Sequence, residues 1–307
     1  MSEIIKTLES EIEILIGVLL VFALGVAVTE FFVEIFKQKL NWNRFKEILA
    51  SFSPAIPAGI VEALTSAAIL SFYLFVYAFI PWKWEPSWWS LLGALVVGDF
   101  IHYWTHRLEH RVRFFWAHHS THHSSPIYNY STAFRVSFMR TPFDVVYYLV
   151  PVLMGFHPVL VLLSLGIVAY YQVWLHNEII GRLGWLEYVL MTPSHHRVHH
   201  GTQDKYLDKN YGAITVLWDK LFGTFQKEEE RPVYGLTKQL NSVNPLRVHF
   251  QEYIHLFRDL RGAKSAGEVA GYFLKPPGWR PHENGTASSP SISNSSARDG
   301  KFAEQGG

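Results

Sequence analysis

Residues Asp99 to Ser125 read DFIHYWTHRLEHRVRFFWAHHSTHHSS, and this stretch decides what kind of fold has to carry it. Seven of the chain's 16 histidines lie in it: His102, His106, His110, His118, His119, His122 and His123. A second knot, His195-His196-Arg197-Val198-His199-His200, follows downstream. Histidine is the commonest neutral nitrogen ligand for transition metals, and neither a packed core nor a solvated surface has reason to repeat it at helical spacing. On a helix, residues three and four apart share a face, so His106/His110 and the trio His119/His122/His123 each aim imidazoles at one place. His196/His199/His200 repeats the H-x-x-H-H spacing of that trio. Adjacent helical residues diverge by about 100°, which suits two metal ions better than one.

The chemistry narrows by exclusion. The chain has no cysteine, which rules out disulfides, Cys-ligated zinc, iron–sulfur clusters and thiolate nucleophiles. Catalytic zinc sites use about three protein ligands and keep one position open, so this many imidazoles exceeds what zinc requires. Imidazole also suits iron and copper, and a two-iron centre that activates dioxygen fits best. Neutral imidazoles leave such a cluster strongly positive. A bridging hydroxide or a nearby carboxylate is therefore expected, with Asp99, Glu109, Glu178 and Asp208 as the candidates in the surrounding layer. His118 and His195, each beside a box histidine, read as neighbours, whereas the spacing leaves His102, one turn before His106, open as ligand or neighbour. The isolated His157, His249, His255 and His282 read as structural or exposed. A net charge of +1 gives no argument for a nucleic-acid partner.

Outward from the histidines, the first half of the chain alternates long apolar runs with short polar joints. The runs are 12–36, 56–80, 89–105 and the pair 143–156 with 157–175, and a span of the hydrocarbon core needs about 20 apolar residues. The reading is an all-α, multi-pass helical membrane protein whose cytoplasmic helical cap, about 203–283, lies over a histidine-rich di-iron site. Glu3, Glu9 and Glu11 precede the first run, whereas Lys37, Lys39, Arg44 and Lys46 follow it, so the basic loop is cytoplasmic and the N-terminus faces the other side. The first run lacks a basic leader and a small-residue cleavage site and reads as a retained anchor. The tryptophan-rich turn Pro81–Trp89 sits at headgroup level, and the next run returns Asp99 and the histidines to the cytoplasmic face. Residues 143–156 would rise only ~21 Å, so 143–175 is either a shallow hairpin or two crossings. Glu62, inside the second run, is either functional, as intramembrane acids commonly are, or near enough to the cytoplasmic end to snorkel. Gly181–Thr192 reads as a short amphipathic helix, with a new helix beginning at Pro193. The organisation is an N-terminal span and basic loop (1–55), a membrane catalytic domain (56–283), and a disordered tail (284–307) rich in Ser, Gly and Asn. No internal repeat and no phosphate-binding glycine loop is present.

The strings W-T-His106-R-L-E-His110, F-W-A-H-His119-S-T-His122-His123-S-S, W-L-His176-N-E and T-P-S-H-His196-R-V-His199-His200-G resemble the fatty acid hydroxylase and sterol desaturase superfamily of membrane di-iron oxygenases. The resemblance places the family's H-R-x-x-H on His106 and His110. It implies nine metal ligands, His106, His110, His119, His122, His123, His176, His196, His199 and His200, holding two Fe. Tyr128–Arg135, Asp208–Gly212, Trp218–Phe225, Val233–Thr237 and Pro277–Trp279 make the resemblance strongest to the alkylglycerol monooxygenase branch. That branch implies a lipid substrate, O2, and tetrahydrobiopterin or a redox protein as electron donor, with hydroxylation and cleavage of an ether lipid. Sterol or fatty acyl hydroxylation or desaturation is the alternative, and a non-catalytic metal-binding membrane protein is the reading of another class. His118 stands where the family has a small residue. The location implied is the plasma membrane of a bacterium or the endoplasmic reticulum of a eukaryote.

Overall fold

The computed structural model describes residues 3–37 and 41–281, and the expected tail at 284–307 lies outside them. Twelve helices follow one another with no strand among the described residues: α1 Glu3–Phe36, α2 Trp42–Phe52, α3 Ala55–Ala78, α4 Trp88–Arg111, α5 Arg113–His123 and α6 Thr141–Tyr147, then α7 Leu149–Leu153, α8 Pro158–Val173, α9 Pro193–His199, α10 Leu217–Leu221, α11 Pro245–Arg261 and α12 Ala266–Leu274. One helical stretch among the described residues, Trp42–Ala78, is long and apolar enough to cross a membrane.

Ser87 starts α4. Its side chain accepts from the Ser90 backbone while the Ser90 hydroxyl receives the Ser87 backbone N–H, which satisfies two groups the helix end would leave orphaned. At Val112 the backbone turns extended (φ −122°, ψ 115°), so α5 folds back on α4 and brings its histidines against His106 and His110. α11 packs against α5, and α8 packs against α4.

The apolar core is built where α3, α4, α7 and α8 meet, around Tyr73, Ala94, Tyr148, Val152, Phe156 and Val161. Gly98 lets α4 approach α8 closely, since a Cβ there would lie 3.3 Å from the Ser164 hydroxyl. The tryptophan-rich turn closes this layer: Trp82 and Trp84 donate their indole N–H groups to the carbonyls of Leu153 and Met154. Gly155, at φ +93°, is required there because any side chain would strike the Trp82 carbonyl. The 143–156 segment is therefore two helices of 7 and 5 residues, and α8 has 16, each shorter than the ~20 residues of a full crossing.

The amphipathic helix expected over Gly181–Thr192 is absent. Only a 3-10 turn, Gly184–Tyr188, forms, opened by Gly184 at φ +62°. The backbone beyond it finds its partners across the fold, Met191 N–H donating to Ile214 and Val216 N–H to Val189, which replaces the helical ladder. The helix expected from Pro193 is present as α9.

Candidate metal centre

α4, α5 and α9 carry seven of the nine histidines, His200 caps the C-terminus of α9, and the turn after α8 adds His176. They sort into two groups: His106, His110, His119, His123 and His199, and then His122, His176, His196 and His200. Within each group the potential ligand atoms lie within 4.8 Å of one another. The sorting follows helical geometry. His122 and His123 point to different groups, as do His199 and His200, while the i,i+4 pairs His119/His123 and His196/His200 stay together.

The ring nitrogens meet head on. Nε2 of His119 is 3.1 Å from Nε2 of His106 and 3.1 Å from that of His123, which is 3.1 Å from that of His199. In the second group, Nε2 of His176 is 3.2 Å from that of His122 and 3.0 Å from that of His196. Several of these rings have the opposite nitrogen committed as a donor. His106 Nδ1 donates to the Tyr211 carbonyl and His199 Nδ1 to the Lys209 carbonyl, both at 2.9 Å. His176 Nδ1 donates to the Gln172 carbonyl at 2.9 Å. That commitment puts lone pairs on the inward nitrogens, and lone pairs 3 Å apart repel unless a cation lies between them. Nε2 of His110 and of His200 are buried with no hydrogen-bond partner. Burial, followed by the neighbouring imidazoles, holds His122, His123 and His196 far below the ordinary histidine range, which keeps them neutral and able to ligate. This donor set fits a pair of imidazole-loving cations.

Of the four carboxylates expected near the cluster, two stand behind a histidine. Glu109, 2% exposed, takes His119 Nδ1 at 3.0 Å on one oxygen and His118 Nε2 at 3.1 Å on the other. Asp208 lies 3.7 Å from His110 Nδ1 and accepts from Arg111 at 2.6 Å; burial raises its carboxyl, but His110 and Arg111 outweigh that and leave it depressed. Asp99 instead accepts from the Ile214 backbone at 2.7 Å and the Trp218 indole at 2.8 Å, tying the 214–218 segment onto α4. Glu178 accepts from Arg231 at 2.9 Å and from the Tyr234 hydroxyl at 3.3 Å, and no histidine among the described residues bonds to it. His102, His118 and His195 stay outside both groups: His102 packs edge-on to His106, His118 stacks on Phe143, and His195 meets Phe225.

The carbonyls of Lys209 and Tyr211 are presented by a strained loop. Asp208 (φ 58°) and Asn210 (φ 55°) sit in the left-handed region, which Asp and Asn tolerate best among residues with a side chain. Asn210 ties the loop to the carbonyls of His195 and Gln226. Asp219, fully buried, accepts the N–H groups of Tyr211 and Gly212 at 2.8 and 2.9 Å and the Thr224 hydroxyl at 2.7 Å.

Residues 91–224, which carry every one of these histidines, match the family model described as fatty acid hydroxylase. The chain carries a fatty acid hydroxylase domain. The chain is 38% identical over 236 residues to an alkylglycerol monooxygenase of Homo sapiens, covering 74% of this chain and 52% of that protein. It is 35% identical over 241 residues to the alkylglycerol monooxygenase of Xenopus tropicalis, covering 78% and 54%. An ornithine lipid hydroxylase of Rhizobium tropici is 33% identical over 148 residues, covering 48% and 44%. The chain thus spans about half the length of the curated relatives it matches. No solved structure matches it.

Ahead of the fatty acid hydroxylase domain, two acids that sequence reasoning passed over brace the segment beside the centre. Glu30 and Glu34 of α1 are both buried. Glu30 accepts the Tyr130 N–H at 2.6 Å and Glu34 accepts the Asn129 amide at 3.3 Å and pairs with Arg44, so α1 clamps the segment after the second histidine box. Acids inside an apolar run were the available signal. Tyr128 lies against His176 and His200, donates its hydroxyl to the Leu175 carbonyl, and carries Tyr234 stacked at 4.8 Å. Two cavities meet at Ile180. One of about 430 Å³ is lined by Phe22, Gly25, Val26, Thr29, Ile179 and Ile180, and the other, of about 260 Å³, by Glu178, Arg197, Glu228, Arg231 and Tyr234 among others.

Proposed function

We propose that this chain is a multi-pass membrane di-iron oxygenase that hydroxylates an alkylglycerol lipid at the carbon beside its ether oxygen. The observation that carries the reading is the set of nine buried or half-buried imidazoles converging as five and four, inside a fatty acid hydroxylase domain. The relatives named alkylglycerol monooxygenase support the substrate class. In this reading His106, His110, His119, His123 and His199 hold one ion, and His122, His176, His196 and His200 hold the other. Bound there, two iron ions would supply the activation of dioxygen, with electrons from tetrahydrobiopterin or a redox protein.

The chain's own residues keep the imidazoles neutral, fix their orientation through Glu109 and the 209 and 211 carbonyls, and exclude water by burial. One dioxygen, two electrons and two protons convert the C–H beside the ether oxygen to C–OH and yield one water. The resulting hemiacetal collapses to a fatty aldehyde and a free glycerol hydroxyl. The cavities meeting at Ile180 suit an amphiphile, with the chain in the apolar one. The other offers two arginines and two glutamates already paired, Arg197 with Glu228 and Arg231 with Glu178, a balance that favours an uncharged polar head.

Membrane embedding is supported by the outward-facing apolar side chains of α1 and α3, among them Val21, Phe22, Leu24, Ile56, Leu64 and Phe75. In the proposed topology the histidine cap faces the cytoplasm, and α6 to α8 form a hairpin. The ornithine lipid hydroxylase relative favours a second reading, hydroxylation of an acyl chain without cleavage. Iron-loaded protein incubated with an alkylglycerol, oxygen and reduced pterin should release fatty aldehyde. Hydroxylated acyl lipid without aldehyde would select the second reading, and no oxidation of any lipid would defeat both.

A further inference from the structure

The two histidine groups are supported unequally. In the group of five, three rings have an acceptor within 3.0 Å of the outward nitrogen: His106 the Tyr211 carbonyl, His199 the Lys209 carbonyl, and His119 the Glu109 carboxylate. Asp208 stands 3.7 Å behind a fourth, His110. In the group of four only His176 has such an acceptor among the described residues, the Gln172 carbonyl. The outward Nδ1 atoms of His122 and His196 are buried without a partner among the described residues. An acceptor behind a ligating imidazole fixes its tautomer and its rotation and raises its basicity, and losing one costs about 10–100-fold in metal affinity. A ring with a free outward nitrogen must itself be ordered when the ion arrives.

We propose that the five-histidine group takes and keeps its ion first, that the four-histidine group is the exchangeable one, and that Glu109 is the positioning residue responsible for much of the difference. Glu109 is the one carboxylate within hydrogen-bond distance of a grouped histidine among the described residues. It is anchored from behind as well. His118 occupies its second oxygen at 3.1 Å, and Arg140 lies 3.8 Å away while paired at 3.1 Å with Asp144. His118 thus has a place in the structure: it holds the carboxylate that holds His119. Because Arg140 keeps Asp144 when Glu109 is truncated, the substitution leaves no arginine unpaired.

The inference rests on the assignment of the nine histidines to two ions, and the experiment separates the two claims. Metal-free full-length protein in detergent is titrated anaerobically with Co(II), followed by absorption and by competition with a chelator. Two steps are expected, and His122→Ala should abolish the second while leaving the first. Glu109→Ala should weaken the first step by about 10–100-fold and leave the second in place. Glu109→Gln, which retains an acceptor for His119, should fall between, and His118→Ala should leave the first step tighter than Glu109→Ala does. Two ions bound with one affinity, or a Glu109→Ala variant that weakens both steps alike or neither, would overturn the inference. Failure to bind two ions at all would overturn the metal-site assignment beneath it. If the Glu109 variants do not fold, the order of loading is still decided by wild type and His122→Ala.

Discussion

Asp219 touches no histidine, yet it should govern both stability and metal content. Its carboxylate receives three buried donors, the N–H groups of Tyr211 and Gly212 and the Thr224 hydroxyl. Those bonds hold the segment whose carbonyls at Lys209 and Tyr211 orient His199 and His106. Asp219→Asn preserves shape, but one oxygen becomes an NH2 group. With the amide oxygen facing Tyr211 and Thr224, the new donor opposes the Gly212 N–H. One orphaned buried donor costs about 1–3 kcal/mol, against a total stability of about 5–15 kcal/mol for a typical domain. Asp219→Ala orphans all three donors and should cost more, on the order of 3–5 kcal/mol after partial rescue by water. Loosening the loop should also lower metal affinity about 10–100-fold through His106 and His199. Thermal unfolding in detergent and iron per chain, measured on wild type, Asn and Ala variants, check both halves. An Asn variant with wild-type unfolding temperature and full iron would refute the claim that this carboxylate organises the 209–212 segment.

Three further outcomes are expected. His119→Ala and His199→Ala should each yield folded protein with reduced iron and no lipid oxidation, and full iron with turnover in either would remove that residue from the ligand set. Glu30→Ala orphans the Tyr130 N–H, accepted at 2.6 Å, at a cost of about 1–3 kcal/mol, and should expose the 126–135 segment to limited proteolysis; unchanged cleavage would count against the clamp by α1. Burial raises the Glu228 carboxyl, but the two hydrogen bonds and charge of Arg197 outweigh it and leave it below 4.5. The pair's stabilisation is then fully present above pH 4.5 and lost as pH falls through the depressed folded value, so Glu228→Gln should remove that acid-side loss in melts taken across pH 3–6. Identical acid limbs in the two proteins would contradict it.

The histidine centre was legible in the sequence because helical geometry converts spacing into direction. The H-x-x-H-H boxes forecast that His122 and His123, and likewise His199 and His200, would face different places, and they do. His176 had no periodic partner and came from the family resemblance alone. The supporting carboxylates were less legible. Asp99, Glu109, Glu178 and Asp208 all lie near a box, but which of them backs a ring depends on where remote partners fall: Trp218 captures Asp99 and Arg231 captures Glu178. The helix expected at 181–192 failed because apolar periodicity cannot see that residues 189–191 pair with 214–216. Glu30 and Glu34 were overlooked for the opposite reason. The run around them is so apolar that it read as a plain anchor, whereas the two acids make it part of the site's frame.

Oxygen insertion beside an ether bond by the iron-loaded protein is tested by isotope labelling. Purified, iron-loaded protein is given an alkylglycerol, a reduced pterin and 18O2, and the aldehyde is trapped at once by reduction to the alcohol. The trapped alcohol should carry 18O, and the glycerol product should be unlabelled. Aldehyde without the label, or oxygen consumption that leaves the ether lipid intact, would contradict it.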